Sequence, residues 1–298
     1  IFASANNGVT VIDNATEGAL GQVALPGLAD SLVAGNDGTR GYAAVRNAGV
    51  VVVIDITNGS TTSIAVPAAR RLVLSPDGTR LLAFSDDSNS VTVIDTSNNA
   101  TTVVPGFDRA INAVFSSDNG IAYVMNCGPQ CGSNSNTASV QELVMATNPP
   151  GDCGLQIGCV NVSAATVGLI NGGNLYVAGS AGAAGLLDVV SVPALTVSTS
   201  GIAIGDGFHH TMALGGNGRL FIAGRTCVNC LTIVNTANNT PVIRPPNGEI
   251  SALQPIEGRN VVYVIEGDEM VIYDTATDAP QTNQINFVGR VVDAKSID

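Results

Sequence analysis

Tryptophan is absent from this 298-residue chain, histidine occurs twice, and 12% of the residues are charged. The usual charged share is roughly 25%. Lysine and arginine number 12 against 24 acidic residues, for a net charge of −12. So few cations cannot supply the electrostatic footprint of a phosphate-bound nucleic-acid partner. An acidic surface is also repelled by anionic lipid. Long apolar runs are missing as well. The densest, Ala48-Gly-Val-Val-Val-Val-Ile54, stops at Asp55, far short of the roughly 20 residues a spanning helix needs. No segment carries a helical hydrophobic period. There is no Gly-x-Ser-x-Gly elbow, phosphate loop, dinucleotide fingerprint or His-Glu-x-x-His. Low charge does not mean disorder here, because 45% of the residues are hydrophobic and disorder requires the opposite balance.

The first residues, Ile1-Phe-Ala-Ser-Ala-Asn-Asn, lack the basic start and apolar stretch of a signal peptide. The expectation is a mature chain whose leader has been removed. Cysteine usage points the same way. The six cysteines form three tight sequence pairs, Cys127/Cys131, Cys153/Cys159 and Cys227/Cys230. Local pairing is the most economical of the possible connectivities and suits an oxidising compartment: secreted, periplasmic or cell surface.

A short β-branched run ending in Asp or Asn recurs along the chain. It reads Val9-Thr-Val-Ile-Asp13, Val51-Val-Val-Ile-Asp55, Val91-Thr-Val-Ile-Asp95, Leu231-Thr-Ile-Val-Asn235 and Met270-Val-Ile-Tyr-Asp274. Two degenerate copies, Glu142-Leu-Val-Met145 and Leu187-Asp-Val-Val-Ser191, fill the gap, so the period is roughly 40 to 50 residues. Upstream of each lies a turn signal such as Ser75-Pro-Asp-Gly-Thr-Arg-Leu-Leu82 or Asn36-Asp-Gly-Thr-Arg-Gly-Tyr42. Pro, Asp and Gly in that order suit a tight hairpin. Seven four-stranded meanders predict an all-β, seven-bladed β-propeller of four-stranded antiparallel blades, a single domain over residues 1–298. Ile1-Phe-Ala-Ser aligns with a second strand and Arg290-Val-Val-Asp with a first strand. The C-terminal strand is therefore expected to complete the N-terminal blade and close the ring, which removes an open edge.

These repeats resemble the YVTN-type β-propeller family of secreted bacterial and archaeal proteins. Ser75-Pro-Asp-Gly-Thr-Arg, Val91-Thr-Val-Ile-Asp-Thr and Tyr123-Val-Met-Asn126 carry the likeness. The resemblance implies an exported seven-bladed scaffold, with roles from surface-layer interaction to relatives of lactonases. WD40 repeats are disfavoured by the missing tryptophan.

The repeat aspartates Asp13, Asp55, Asp95 and Asp274 are read as Asx-turn residues, as are Asp37, Asp77 and Asp118 in the hairpins. Chemistry is more interesting just before the first strand of each unit, where a propeller opens its channel. Asp30, Ser31, Arg70, Arg71, Asp108, Arg109, His209, His210, Glu249 and Arg290 fall there. The bland expectation is a solvated rim of mixed charge. The sharper one is a metal or acid–base site using His209 or His210, Asp108, Glu249 and Arg71. Strand alternation lets at most one of the two histidines face the channel. The cysteines are expected in disulfides rather than in a zinc site or a redox-active Cys227/Cys230 pair. Five Asn-x-Ser/Thr sequons, at Asn14, Asn58, Asn99, Asn161 and Asn238, are accounted for mainly by turn chemistry.

The leading functional expectation is a secreted, non-catalytic scaffold. It would bind other copies of itself, a surface protein or a polymer, without nucleic acid, membrane insertion or cofactor, and homo-oligomers or larger assemblies fit it. The alternative is a lactonase-like hydrolase acting at the channel mouth.

Overall fold

The computed structural model describes residues 2–5, 8–12, 19–35, 38–86, 88–147, 151–155, 157–245, 249–256, 258–267 and 269–286. Their strands form seven antiparallel sheets, each a meander taken up in chain order. Contacts gather the chain into two compact units, one reaching Asn126 and including Val140–Cys159, the other formed by Cys127–Ser139 and the chain from Val160.

The first unit holds β1 (Phe2–Ala5), β2 (Gly8–Ile12) and β3 (Ala19–Ala24), then β4 (Ser31–Ala34), β5 (Arg40–Val45), β6 (Val50–Asp55) and β7 (Thr61–Ala65). Next come β8 (Ala69–Leu74), β9 (Arg80–Ser85), β10 (Ser90–Asp95) and β11 (Thr101–Pro105). The fourth sheet is β12 (Ala110–Phe115), β13 (Ile121–Asn126), β14 (Ala138–Val144) and β15 (Cys159–Val162), of which Ala138, Ser139 and Val160–Val162 are counted with the second unit. The second unit holds β16 (Val167–Asn171), β17 (Asn174–Ala181), β18 (Ala184–Ser191) and β19 (Thr196–Ile204). It continues with β20 (Phe208–Gly215), β21 (Arg219–Arg225), β22 (Leu231–Asn235) and β23 (Thr240–Arg244), and then β24 (Ile250–Pro255), β25 (Val261–Glu266), β26 (Glu269–Asp274) and β27 (Ala279–Asn286). Six sheets have four strands and the first has three among the described residues. The strand expected to complete that first blade, residues 290–298, lies outside them, as do Ile1, Asp13, Asn14, Asp37 and Arg290.

The degenerate repeats fall where the period places them, Glu142–Met145 at β14 and Leu187–Ser191 in β18, each the third strand of its sheet. Middle strands read as unbroken apolar runs because both of their faces are covered. In β6, Val51, Val52, Val53 and Ile54 are all buried, and in β9 Leu81 through Phe84 are. Fourth strands such as β7 and β11 bury one residue each, and their other residues, mostly Thr with Ser63, Ala65, Val103 and Pro105, are exposed to water. Side chains on the facing surfaces of neighbouring sheets make the core. Leu82, Phe84, Val91 and Val93 meet Phe107, Phe115, Leu143 and Met145. In the second unit Phe221 packs edge-on against Tyr273, with ring centroids 6.0 Å apart and planes at 74°.

The turn motifs explain the acidic residues. Ser75 Oγ donates to Asp77 Oδ1 (2.6 Å) and accepts the N–H of Arg80 (2.9 Å), while Asp77 also accepts the N–H of Thr79 (3.1 Å). Ser116 and Asp118 repeat the arrangement at 2.6 Å. Gly78, at φ +72°, supplies the left-handed step this turn requires. After the third strands, Asp55 accepts from the Thr57 hydroxyl and from the N–H groups of Thr57 and Asn58. Those bonds, the Thr57 hydroxyl first, hold its carboxyl below the usual range. Asp95, Asn235 and Asp274 make the same Asx turn. Sequon residues Asn58 and Asn238 use their side-chain carbonyls on the N–H groups of Ser60 and Thr240.

Candidate functional site

Four of the first strands share one irregularity. The register slips by a residue between Ala69 and Arg71 in β8, Ala110 and Asn112 in β12, His209 and Thr211 in β20, and Ile250 and Ala252 in β24. A bulge sets two residues against one, so strict alternation does not carry across it. At β20 the extra residue is His210, and this is why spacing alone did not orient the two histidines.

His209 does not stand on a solvated rim: it is 1% exposed. Its ring fits a slot walled by backbone, with the carbonyls of Gly205 and Gly179 turned to it and Ser180 Oγ 3.5 Å from Nδ1. Gly185 makes the slot possible. A Cβ there would stand 2.9 Å from the His209 ring and 1.7 Å from the Gly205 oxygen. Thr166 Oγ1 donates to the His209 carbonyl at 2.7 Å and fixes the backbone. Burial depresses the imidazole pKa to about 4, against the opposing pull of the Gly205 and Gly179 carbonyls and the Asp206 charge. The ring is therefore neutral at pH 7.

Above this slot the second unit has a cleft of about 300 Å³, lined by Gln130, Ser180, Gly182, Ala183, Asp206, Gly207, Phe208 and Thr226. Three hairpins that join second to third strands supply part of it, and Asp206, Gly207 and Phe208 come from the β19–β20 connection and the start of β20. Gln130 comes from the Cys127–Cys131 loop, Gly182 and Ala183 from the β17–β18 turn, and Thr226 from the loop closed by Cys227–Cys230. Side-chain to backbone bonds lock the pieces together. Gln130 Oε1 accepts the N–H of Ser180 at 2.9 Å, and the Ser180 hydroxyl donates to the Gly207 carbonyl. Asp206 accepts the N–H of Asn229 at 2.8 Å and of Val228 at 3.4 Å, and these bonds, Asn229 first, lower its pKa. Glu249 Oε1 accepts the N–H of Thr226 at 2.9 Å. Gly207, at φ +90°, lies so close to Cys227 that a Cβ would come within 2.5 Å of it.

The expected site residues thus separate into different jobs. His209 and Glu249 touch residues that line this cleft, the first through Ser180 and the second through the Thr226 N–H. Arg71 and Asp108 belong to the first unit. Arg71 Nε donates to Asn112 Oδ1 at 2.9 Å, and the N–H of Asp108 meets Asn126 Oδ1 at 3.3 Å. Among the described residues no group of three His, Cys, Asp or Glu side chains is placed to hold a metal. All six cysteines are in disulfides, Cys127–Cys131, Cys153–Cys159 and Cys227–Cys230, which leaves no thiolate for zinc.

Sequence reasoning missed two features. Asp206 sits between two glycines just ahead of β20, and the nearby His-His pair drew attention past it. The buried amide of Gln141 was also missed. Its Nε2 donates to the carbonyls of Gly106 (2.9 Å) and Gly151 (2.7 Å), and its Oε1 accepts from Asn126 Nδ2 at 2.6 Å. A polar residue inside an apolar third strand was the available signal.

No family model matches the chain, and no curated protein does. Solved structures do. The chain is similar to Kuenenia stuttgartiensis hydrazine synthase, with 15% identity, 95% of this chain and 90% of that chain covered, and a TM-score of 0.69. It is similar to the β-propeller domain of Myceliophteria thermophila Cps50 (Swd1), with 12% identity, 89% of each chain covered and a TM-score of 0.66. It is similar as well to dihydro-heme d1 dehydrogenase NirN in complex with DHE, with 11% identity, 99% and 74% covered and a TM-score of 0.63. At such identities the likeness is one of fold, and the fold is the seven-bladed β-propeller.

Proposed function

We propose that this chain is an exported, non-catalytic propeller scaffold, one domain over residues 1–298, that binds a protein or a surface polymer. The carrying observation is the pair of disulfide-closed hairpins, Cys127–Cys131 and Cys227–Cys230, bordering one cleft. Loops fixed in advance lose little entropy on binding, and that is the usual gain from such clamps. Three disulfides support an oxidising compartment, and the likeness of the repeats to YVTN-type propellers supports the same address. Hydrazine synthase and NirN are enzymes by name, while another similar structure is titled as a mitotic checkpoint complex. Propellers serve both ends, so the choice rests on the site. There the imidazole is buried and neutral, and the carboxylates of Asp206 and Glu249 hold backbone N–H groups.

The test places a photo-crosslinking residue at Val228, 76% exposed at the hairpin tip, on cells that make the protein. Adducts that depend on that position, together with no turnover of a panel of lactones, support the reading. A lactonase activity that disappears in His209→Ala and His210→Ala overturns it.

A further inference from the structure

We propose that the cleft takes a neutral, polyhydroxylated ligand the size of one sugar ring, such as the terminal residue of a surface glycan. This rests on the scaffold reading above and names what its cleft recognises. Among the described residues the lining contains no Lys, Arg or His, and Asp206 is its one ionised group. An anionic ligand would meet that carboxylate with nothing to compensate it. A bare metal cation would find a single acidic ligand, whose oxygens already accept the N–H groups of Asn229 and Val228. Hard cations need several oxygen ligands.

What the lining does offer is paired donors and acceptors around a small apolar face. Asp206 keeps unused lone pairs, since a carboxylate has about four acceptor sites. Gln130 is oriented by the bond from the Ser180 N–H to its Oε1, and its Nε2 supplies two donors. Thr226 is exposed, and its hydroxyl works in both directions. Phe208 is half-buried and is the one aromatic among the described lining residues, in company with the small Gly182, Ala183 and Gly207. Vicinal hydroxyls each donate and accept, so a sugar ring matches this mixed set where an ion of either sign does not. The volume, about 300 Å³, lies at the lower end of small-molecule sites and suits one ring. Both flanking hairpins are clamped, so recognition would occur without loop rearrangement.

The experiment is isothermal titration of the full, oxidised chain with methyl glycosides of neutral hexoses, and in parallel with glucosamine and methylammonium. Saturable binding of at least one neutral glycoside, weakened at least tenfold by Asp206→Asn and abolished by Ala183→Trp, is the expected result. Asparagine keeps an acceptor for the Asn229 N–H, and Ala183→Trp fills the cleft without touching that bond, so the two variants fail independently. Absence of saturable glycoside binding overturns the proposal, as does binding indifferent to Ala183→Trp. Tighter binding of methylammonium than of every glycoside overturns it in favour of a cation site. Position-dependent cross-linking at Val228 with no glycoside binding would leave the scaffold reading standing and remove this one alone.

Discussion

Asp206 accepts the backbone N–H of Asn229 at 2.8 Å, so the acidic wall of the cleft is also the clamp on the hairpin closed by Cys227–Cys230. One side chain thus joins the shape of the site to its charge.

That relationship predicts the effect of Asp206→Ala. The amides of Val228 and Asn229 lose their acceptor, and their hydrogen exchange is expected to speed up at least tenfold. Amides in β21 and β22 should keep their rates. Unchanged exchange at Asn229 would show that the disulfide alone holds the hairpin.

His209 gives the fold a pH dependence of defined sign. Its pKa is about 4 in the folded chain and near 6.5 when unfolded. Between those values the unfolded chain binds the extra proton, so stability rises with pH across that window and is complete above it. Acidification from pH 7 to 4 should therefore cost about 3 kcal/mol through this group. Urea denaturation of the wild type and of His209→Gln across pH 4–7 checks it. The variant should show a flatter slope through the upper half of the window, where carboxylates contribute least.

Gln141→Leu tests the buried amide. It removes the bonds that Gln141 makes to the carbonyls of Gly106 and Gly151 and to Asn126 Nδ2. Gly106 is exposed and Gly151 half-buried, so the buried partner is Asn126. A lost bond at one buried group costs about 1–3 kcal/mol, and equilibrium unfolding should show a loss of that size. Gln141→Glu restores the acceptor for Asn126 but not the donors, and should recover only part of it.

Gly185→Ala should destabilise the second unit by more than about 3 kcal/mol, beyond ordinary overpacking. The new methyl would overlap the Gly205 carbonyl and crowd the His209 ring. A thermal melt within one degree of wild type would contradict the slot as described.

Much of the fold was legible because the repeat encodes it twice, once in the β-branched third strands and once in the Ser-Pro-Asp-Gly turns. Val91–Asp95 and Ser75–Arg80 each specify local geometry through neighbours in sequence, and local signals are what a sequence displays. The disulfides were legible for the same reason, their partners lying within six residues. The cleft was not. Gln130, Ser180, Asp206 and Thr226 come from three sheets and lie up to 50 residues from their partners. His209 looked like a rim residue because the slot that buries it is built from Gly179, Gly185 and Gly205, which lack side chains that would announce a contact. The bulge at His210 then upset the alternation on which the expectation relied.

As the scaffold proposed here, the chain works by holding other molecules. Sedimentation velocity of the protein isolated from the cells that make it, under non-reducing conditions, tests this most directly. The expected result is a species well above the monomer mass that returns to monomer when the Cys127–Cys131 and Cys227–Cys230 hairpins are replaced by short glycine-serine turns. A monodisperse monomer that turns over a lactone, with activity lost on His209→Ala, would contradict it.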